Sequence, residues 1–422
     1  MSNTRSAASQ YLISITIIGV LFFIFGFVTW VNGTLIPYLK IACELSSDLQ
    51  SFLVATAFFI AYTVMALPAS WVLGKTGYKK GMAIGLLIMA GGALVFVPAA
   101  EARNFNLFLV GLFIIGTGLA LLQTASNPYV SIIGPLESAA SRISLMGICN
   151  KVAGILAGLI FGAIALNDVD GLEHSLAAMT EADRAARLNE LASRVVVPYM
   201  VIAGTLVVTA VGVLLSPLPD IKEEREEGAG NVVVQKTSVF QFPHLMLGIL
   251  AIFLYVGVEV MAGDTIISYG KSLGIELSKA RFFTQGTLVC MLIGYVIGIL
   301  TIPKYISQET ALKICAVLGV VFTVFALSTS GGYSVAGIAL LGLANSLMWP
   351  AIFPLAIEGL GKFTKVGSAL LIMGIAGGAI LPLVYGRLIE VLSAKGAYVI
   401  MIPCYLYILY YAVKGHRVGR AH

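Results

Sequence analysis

Apolar runs of helix length recur along the whole chain with short polar interruptions, and their number sets the architecture. A helix needs about 20 apolar residues to cross the hydrocarbon of a bilayer. Such runs fall at 11–39, 50–73, 81–100, 105–130, 142–166 and 195–216, then at 244–269, 280–302, 311–330, 333–357, 366–391 and 396–414. They predict an all-α membrane protein of twelve transmembrane helices in two six-helix halves. The first half covers 1–216, the second covers 244–422, and a solvated linker, 217–243, joins them. That linker holds the densest charge cluster of the chain, Asp220, Lys222, Glu223, Glu224, Arg225, Glu226 and Glu227. A second polar stretch, about 167–194, sets Leu172, Leu176, Leu188 and Leu191 among charges, which predicts a short amphipathic helix outside the membrane. The first run continues through Gly33 and Pro37 without a cleavage-site pattern, and is expected to be a retained span.

Composition agrees and narrows the function. Of 422 residues, 59% are hydrophobic and 11% are charged, against roughly 45–50% and 25% in an average soluble domain. This excludes soluble enzymes and nucleic-acid binders, and the modest net charge of +5 fits membrane topology. The 45 glycines suit helices packed closely in lipid, where small residues let backbones approach. Lys75, Lys79 and Lys80 after the second span, with Lys414, Arg417 and Arg420 at the end, place both termini on the cytoplasmic side. The five cysteines form no C-x-x-C pair, and the four histidines show no metal-binding spacing. No phosphate-binding G-x-x-x-x-G-K-[ST] loop is present, so an ion gradient or the substrate's own gradient must drive the protein. A membrane-embedded enzyme or sensor would need a nucleophile with a histidine base or an appended signalling domain, and the sequence offers neither.

Polar residues inside the spans are the candidates for chemistry, because burying them in lipid is costly. Gln123 and Asn127 lie four apart at the end of the fourth span and share a face, next to Pro128, which leaves a backbone carbonyl without its donor. They could bind a sugar, hold a cation, or merely bond neighbouring helices at a kink. Asn150 and Lys151 lie well inside the fifth span; a lysine there must pair, lose its proton or face water. Glu259 and Asp264 in span seven are its candidate partners and are also candidates for holding a coupling ion; Glu259 could accept hydrogen bonds from a sugar's hydroxyls, and Asp264, nearer the outer end, could simply be wet. They stand five residues apart, about 140° around the helix, so they need not share a site. Asn345 and Trp349 of span ten, and Trp30 and Asn32 of span one, pair amides with indoles, as carbohydrate sites require: planar groups for hydroxyls and an aromatic surface for the C–H face. Either tryptophan could instead be an interfacial anchor. The loop Gly74-Lys75-Thr76-Gly77-Tyr78-Lys79-Lys80 offers glycines for a tight turn and cations to meet helix ends across an inner gate; Gly74, Gly77, Lys79 and Lys80 are its gate candidates.

The two halves and this loop are similar to the major facilitator superfamily of secondary transporters, although no aspartate precedes Lys75. Four motifs carry a closer resemblance: Gln123-Thr124-Ala125-Ser126-Asn127-Pro128-Tyr129-Val130, Gly257-Val258-Glu259-Val260, Asn345-Ser346-Leu347-Met348-Trp349-Pro350 and Ile357-Glu358-Gly359-Leu360-Gly361. They fall in the order found in the fucose permease and glucose/galactose transporter family. The resemblance implies uptake of a monosaccharide with a cation across a bacterial inner membrane by alternating access; one twelve-span chain can transport alone, so a functional monomer is expected. It also implies that Asn150 belongs to the sugar site. Fucose-permease-like proteins use an aspartate in the first span and a glutamate in the fourth for proton coupling, and the matching positions here are Gly33 and Gln123, which cannot titrate. Two routes remain for the coupling ion. Gln123, Asn127 and nearby carbonyls would coordinate sodium, the slightly favoured reading and the one metal expected, or Lys151 or Glu259 would carry a proton. The substrate expected is a glucose/galactose-type hexose or an N-acetylhexosamine, with no cofactor and no nucleic-acid partner; the alternative is a facilitator or proton-driven antiporter of another small molecule.

Overall fold

The computed structural model describes residues 2–133, 139–166, 169, 172–218 and 237–420. Among these, eleven helical runs are long and apolar enough to cross a membrane, and one of them is double. The run Asp48–Glu101 has 54 residues, about 81 Å at 1.5 Å per residue, enough for two crossings. Its helical backbone is interrupted at Gly77, with φ 76° and ψ 171°, a conformation open to glycine and strained for any other residue. Spans two and three meet there, and the expected count of twelve is recovered.

The remaining spans are Tyr11–Ala42 (one), Phe105–Val130 (four), Ser141–Ala165 (five), the apolar part of Glu181–Leu215 (six), Pro243–Asp264 (seven), Leu277–Thr301 (eight), Gln308–Ser328 (nine), Gly331–Ile357 (ten), Val366–Val391 (eleven) and Gly396–Val413 (twelve). Polar caps start several of them. Ser47, Asn104 and Ser307 accept backbone N–H groups from Gln50, Leu107 and Thr310, the orphan donors of a helix's first turn. Spans one, ten and eleven are broken well inside their length. Span one changes helix at Val31, span ten between Asn345 and Met348, and span eleven passes through a tight turn at Gly374–Ala376.

The polar stretch before span six forms two helices, Leu172–Ala178 and Glu181–Ser193, where a single helix was expected. Thr180 divides them, its extended backbone letting its hydroxyl cap Asp183 N–H. The four leucines are buried as the pattern predicted. Tyr38 donates to the carbonyl of Leu191 at 2.6 Å, which fastens the second helix over the end of span one. The charge cluster 220–227, and so most of the expected linker 217–243, lies outside the described residues.

The two sets of six spans meet along two seams. In one, small residues of span five admit large ones from span eight: a Cβ at Gly154 would lie 2.9 Å from Leu288, and one at Gly147 2.7 Å from the Tyr295 ring. In the other, Thr56 of span two donates to the carbonyl of Ala379 in span eleven at 2.9 Å, and the Phe52 and Tyr385 rings stand 5.9 Å apart. At the end of the bundle opposite the termini, Arg281 in the first turns of span eight donates to the carbonyl of Gly162 at the close of span five, 2.8 Å away. That contact places a cation on the negative end of a helix belonging to the other half.

Gly77→Ala is expected to lower the apparent Tm of the detergent-solubilised protein, at a cost of about 1–3 kcal/mol for a non-glycine residue in this conformation. Gly74→Ala is the control. Gly74 is exposed on a helix with open space around its Cα, so alanine there should leave Tm unchanged or raise it slightly. Equal losses in the two variants would show that the junction is not held by Gly77.

Candidate functional site

A cavity of about 110 Å³ lies between the two halves, walled by both. Span one supplies Phe22, Phe25, Thr29 and Trp30; span two supplies Phe59 and Tyr62; span four supplies Gln123 and Asn127; span five supplies Ile143, Gly147, Asn150 and Lys151. The second half closes it with Tyr255, Val256, Glu259, Val260 and Asp264 of span seven, Tyr295 of span eight, Trp349 and Pro350 of span ten, and Ile375 of span eleven.

The break after Trp30 delivers its indole into the middle of the bundle. Small residues receive it, since a Cβ added at Gly154 or Gly263 would lie within 2.6 Å of the ring. Its Nε1 donates to Asn150 Oδ1 at 3.0 Å. The next residue, Lys151, points about 100° further round span five and reaches across the gap. Its Nζ lies 2.8 Å from Glu259 Oε1 and 4.2 Å from the centroid of the Trp30 ring. Both ions are buried, Lys151 to 6% exposure and Glu259 to 9%. Two charges taken from water cost several kcal/mol each, and only mutual contact with further hydrogen bonds offsets that. Here the offset comes from contact at hydrogen-bond distance and from the aromatic face, whose electron-rich centre attracts the ammonium. The pair is also an electrostatic tie between the halves, as Lys151 belongs to one and Glu259 to the other.

The rest of the wall is amide and aromatic. Gln123 Nε2 donates to the Tyr62 hydroxyl at 3.0 Å, and Asn127 Nδ2 donates back to the Gln123 carbonyl at 3.1 Å. Trp349 stands between Tyr255, ring centroids 6.4 Å apart, and Phe353, against which it stacks at 5.7 Å. Such a wall can hydrogen-bond several hydroxyls and cover an apolar ring face at once.

Of the residues singled out by sequence, Trp30, Gln123, Asn127, Asn150, Lys151, Glu259, Asp264 and Trp349 line this one cavity. Glu259 and Asp264 share it despite their angular separation, because the cavity wraps around span seven. Asn345 does not line it. The helix break between Asn345 and Met348 removes it from the face of Trp349, and its Oδ1 accepts from the Tyr405 hydroxyl of span twelve at 2.9 Å. Asn32 lies past the break in span one, fully buried and outside the cavity wall. In the turn between spans two and three, Lys79 Nζ meets a helix end as expected, the carbonyl of Ser216 at 2.6 Å. That helix is span six of the same half; Lys80 and Gly74 are exposed. Sequence reasoning missed Tyr62, Tyr255 and Tyr295. Tyr255 was findable, one turn before Glu259 on the same face. Tyr62 and Tyr295 carry no local signal that separates them from packing residues.

Comparison with known proteins adds an independent line. The family model described as Major Facilitator Superfamily matches residues 18–383. The glucose/galactose transporter of Brucella abortus biovar 1 (strain 9-941) is 34% identical over 419 residues, covering 98% of this chain and 96% of the relative. The L-fucose-proton symporter of Escherichia coli (strain K12) is 30% identical over 382 residues, 89% of this chain and 87% of the relative. Among solved structures, the transporter FucP in the outward conformation superposes with a TM-score of 0.78 at 29% identity, covering 98% of this chain and all of that one.

Lys151→Met strands Glu259 as a buried, uncompensated charge, and is expected to destabilise the protein by about 3–5 kcal/mol. Glu259→Gln strands Lys151 in the same way. The double variant should be more stable than either single one, giving a coupling energy of at least about 1 kcal/mol in a cycle of thermal or denaturant unfolding. Additive losses would mean that the two groups do not depend on each other.

Proposed function

The chain belongs to the Major Facilitator Superfamily and is a transporter, not an enzyme; from that premise we propose that it imports a monosaccharide together with a proton across a bacterial inner membrane. Both termini face the cytoplasm, as the lysine and arginine distribution suggests, and a single chain is the working unit. The substrate is a glucose/galactose-type hexose or an N-acetylhexosamine, held in the cavity between the halves as they alternate access.

One observation carries the reading. The cavity combines two indoles, three tyrosines and three amides around a single ion pair that spans both halves. A sugar fits that chemistry, since its hydroxyls can take hydrogen bonds from Gln123, Asn127, Asn150 and the charged pair while an indole covers its C–H face. The pair explains coupling between binding and movement. The halves cannot part on the cavity's axis without separating Lys151 from Glu259, and the hydroxyls of a bound sugar are the groups at hand to replace the lost partner of each. Two relatives that match nearly the whole chain carry glucose/galactose in their names, and the fucose relatives are named as proton symporters.

The coupling ion is assigned as a proton in preference to sodium. The two L-fucose relatives are named as proton symporters, and none of the near-full-length relatives is named for sodium. Asn345 and Asn32 take no direct part in this reading, and Lys79 of the Gly74–Lys80 turn braces the first half through the Ser216 carbonyl.

Purified protein in proteoliposomes should accumulate labelled D-glucose, D-galactose or N-acetylglucosamine when the outside is made acid, and should not do so on a sodium gradient at constant pH. Trp30→Ala and Asn150→Ala are each expected to lower uptake at least tenfold, because one removes the stacking surface and the other its hydrogen-bonded support. Failure of every sugar to accumulate or compete under a proton gradient would overturn the sugar reading, and sodium-driven accumulation would overturn the choice of ion.

A further inference from the structure

We infer that Asp264 carries the coupling proton, at a site distinct from the Lys151–Glu259 pair and set on the seam between the halves. This rests on the reading of the cavity as a proton-coupled sugar site. Asp264 closes the helix Pro243–Asp264, about 7.5 Å further along span seven than Glu259 at 1.5 Å per residue. It lines the cavity, is only 2% exposed, and its Oδ1 has no hydrogen-bond partner among the described residues.

What faces the carboxyl is a gap left by a missing side chain. A Cβ added at Gly33 of span one would lie 3.2 Å from Asp264 Oδ1 and 3.6 Å from its Cα. The carboxyl of one half therefore fills the space that a side chain of the other half would otherwise occupy. Thr284 of span eight borders the same spot, 3.2 Å from that Cβ position, but its hydroxyl proton is committed to the Gly263 carbonyl at 2.6 Å. The charged groups acting on Asp264 are Glu259 on its own helix and Lys151 of span five, and these two are already in contact with each other. Arg281, the next cation in span eight, donates to the carbonyls of Gly162 and Leu166.

A buried carboxylate with no cation in contact costs several kcal/mol, and binding a proton removes that charge. A proton also suits the surroundings better than a metal ion. It needs one oxygen, whereas a hard cation needs a shell of them, and here the carboxyl meets a bare glycine, an indole-packed backbone and a hydroxyl already used as a donor. The site lies toward the end of the bundle opposite the termini. Parting of the halves at that end moves Gly33 away from Asp264 and wets the carboxyl, which ionises. Closing the seam again requires the carboxylate oxygen to take a proton from the outer solution. The proton leaves to water on the other side once the cavity opens there. Sugar and proton are thereby enclosed by the same closure, without sharing a ligand.

The test has a chemical arm and a transport arm. Dicyclohexylcarbodiimide is apolar and reacts with protonated carboxyl groups. Wild-type protein at acid pH is expected to give an adduct at Asp264 by peptide mass spectrometry, with the yield falling at least fivefold as pH is raised, and none at the ion-paired Glu259. In proteoliposomes, Asp264→Asn should lose proton-driven accumulation at least tenfold and lose the sugar-induced proton influx seen with a trapped pH dye. Asp264→Ala combined with Gly33→Asp returns a carboxyl to the same space from the other half, and should restore proton influx where Asp264→Ala alone does not. Absence of the adduct at Asp264 overturns the assignment whatever the protein transports, as does proton-driven accumulation by Asp264→Asn. An adduct at Asp264 in a wild-type protein that accumulates no sugar would overturn the sugar reading, while leaving the protonated carboxyl in place.

Discussion

A lysine and a glutamate lie in contact at the middle of a bundle made almost wholly of apolar helices, and they belong to opposite halves of it. That pair sets the terms for the rest of the structure. Each ion alone would cost several kcal/mol, so the closed arrangement is held by a contact that exists only while the halves are together. A bundle required to stay closed would do better with apolar residues of the same volume, because a buried ion pair is seldom a net gain over them. Its presence fits the proposed function, in which the halves must separate and the substrate offers several hydroxyl groups. The ions are then solvated by ligand in one arrangement and by each other in another.

The packing around the pair is arranged to let this happen. Lipid gives the two halves no hydrophobic reason to adhere, so their contact rests on close approach and on polar bonds. The Trp30 indole is lodged between Gly154 and Gly263, one glycine from each half. It thereby touches Lys151 and supports Asn150 while remaining part of the seam. At the end away from the termini, the halves are joined by the Arg281 contact with a helix carboxyl end and by the Phe52–Tyr385 rings. These are contacts of modest strength that can be made and broken.

The apolar runs made the fold legible, because lipid leaves a chain few alternatives to the spanning helix. Lys151 was legible for the same reason, as the one deep cation that had to be accounted for. Its partner was not. Choosing between Glu259 and Asp264 depends on how span seven is rotated against span five, and a single sequence holds no information on that angle. Asn345 shows a second limit. Its four-residue spacing from Trp349 promised a shared face, but the promise holds only on an unbroken helix, and the chain changes helix at Ser346–Leu347. The polar stretch before span six divided in two at Thr180 for a local reason that was available, since a threonine three residues before an aspartate is an N-cap pattern. Tyr62 and Tyr295 were invisible because a tyrosine in a span serves packing as readily as binding; only the cavity they border separates the two uses.

The separation of Asp264 from the Lys151–Glu259 pair has a consequence for how a cation and a neutral sugar can move together. If one carboxylate both bound the proton and received the sugar, protonation would weaken the hydrogen bonds that an ionised group makes most strongly, and each ligand would oppose the other. With Glu259 in contact with Lys151, and Asp264 standing on the seam against Gly33, the proposed assignment has the two ligands act on different contacts of the same interface. The sugar compensates the ion pair and the proton removes the charge at the seam. In that proposal the proton favours closure of the seam while the sugar takes up the contacts that the ions lose, so the two ligands act on one interface without touching each other. On the proposed assignment a glycine in span one matters through what it leaves out: the space opposite Asp264 in which the carboxyl can be wet in one arrangement and sealed in the other.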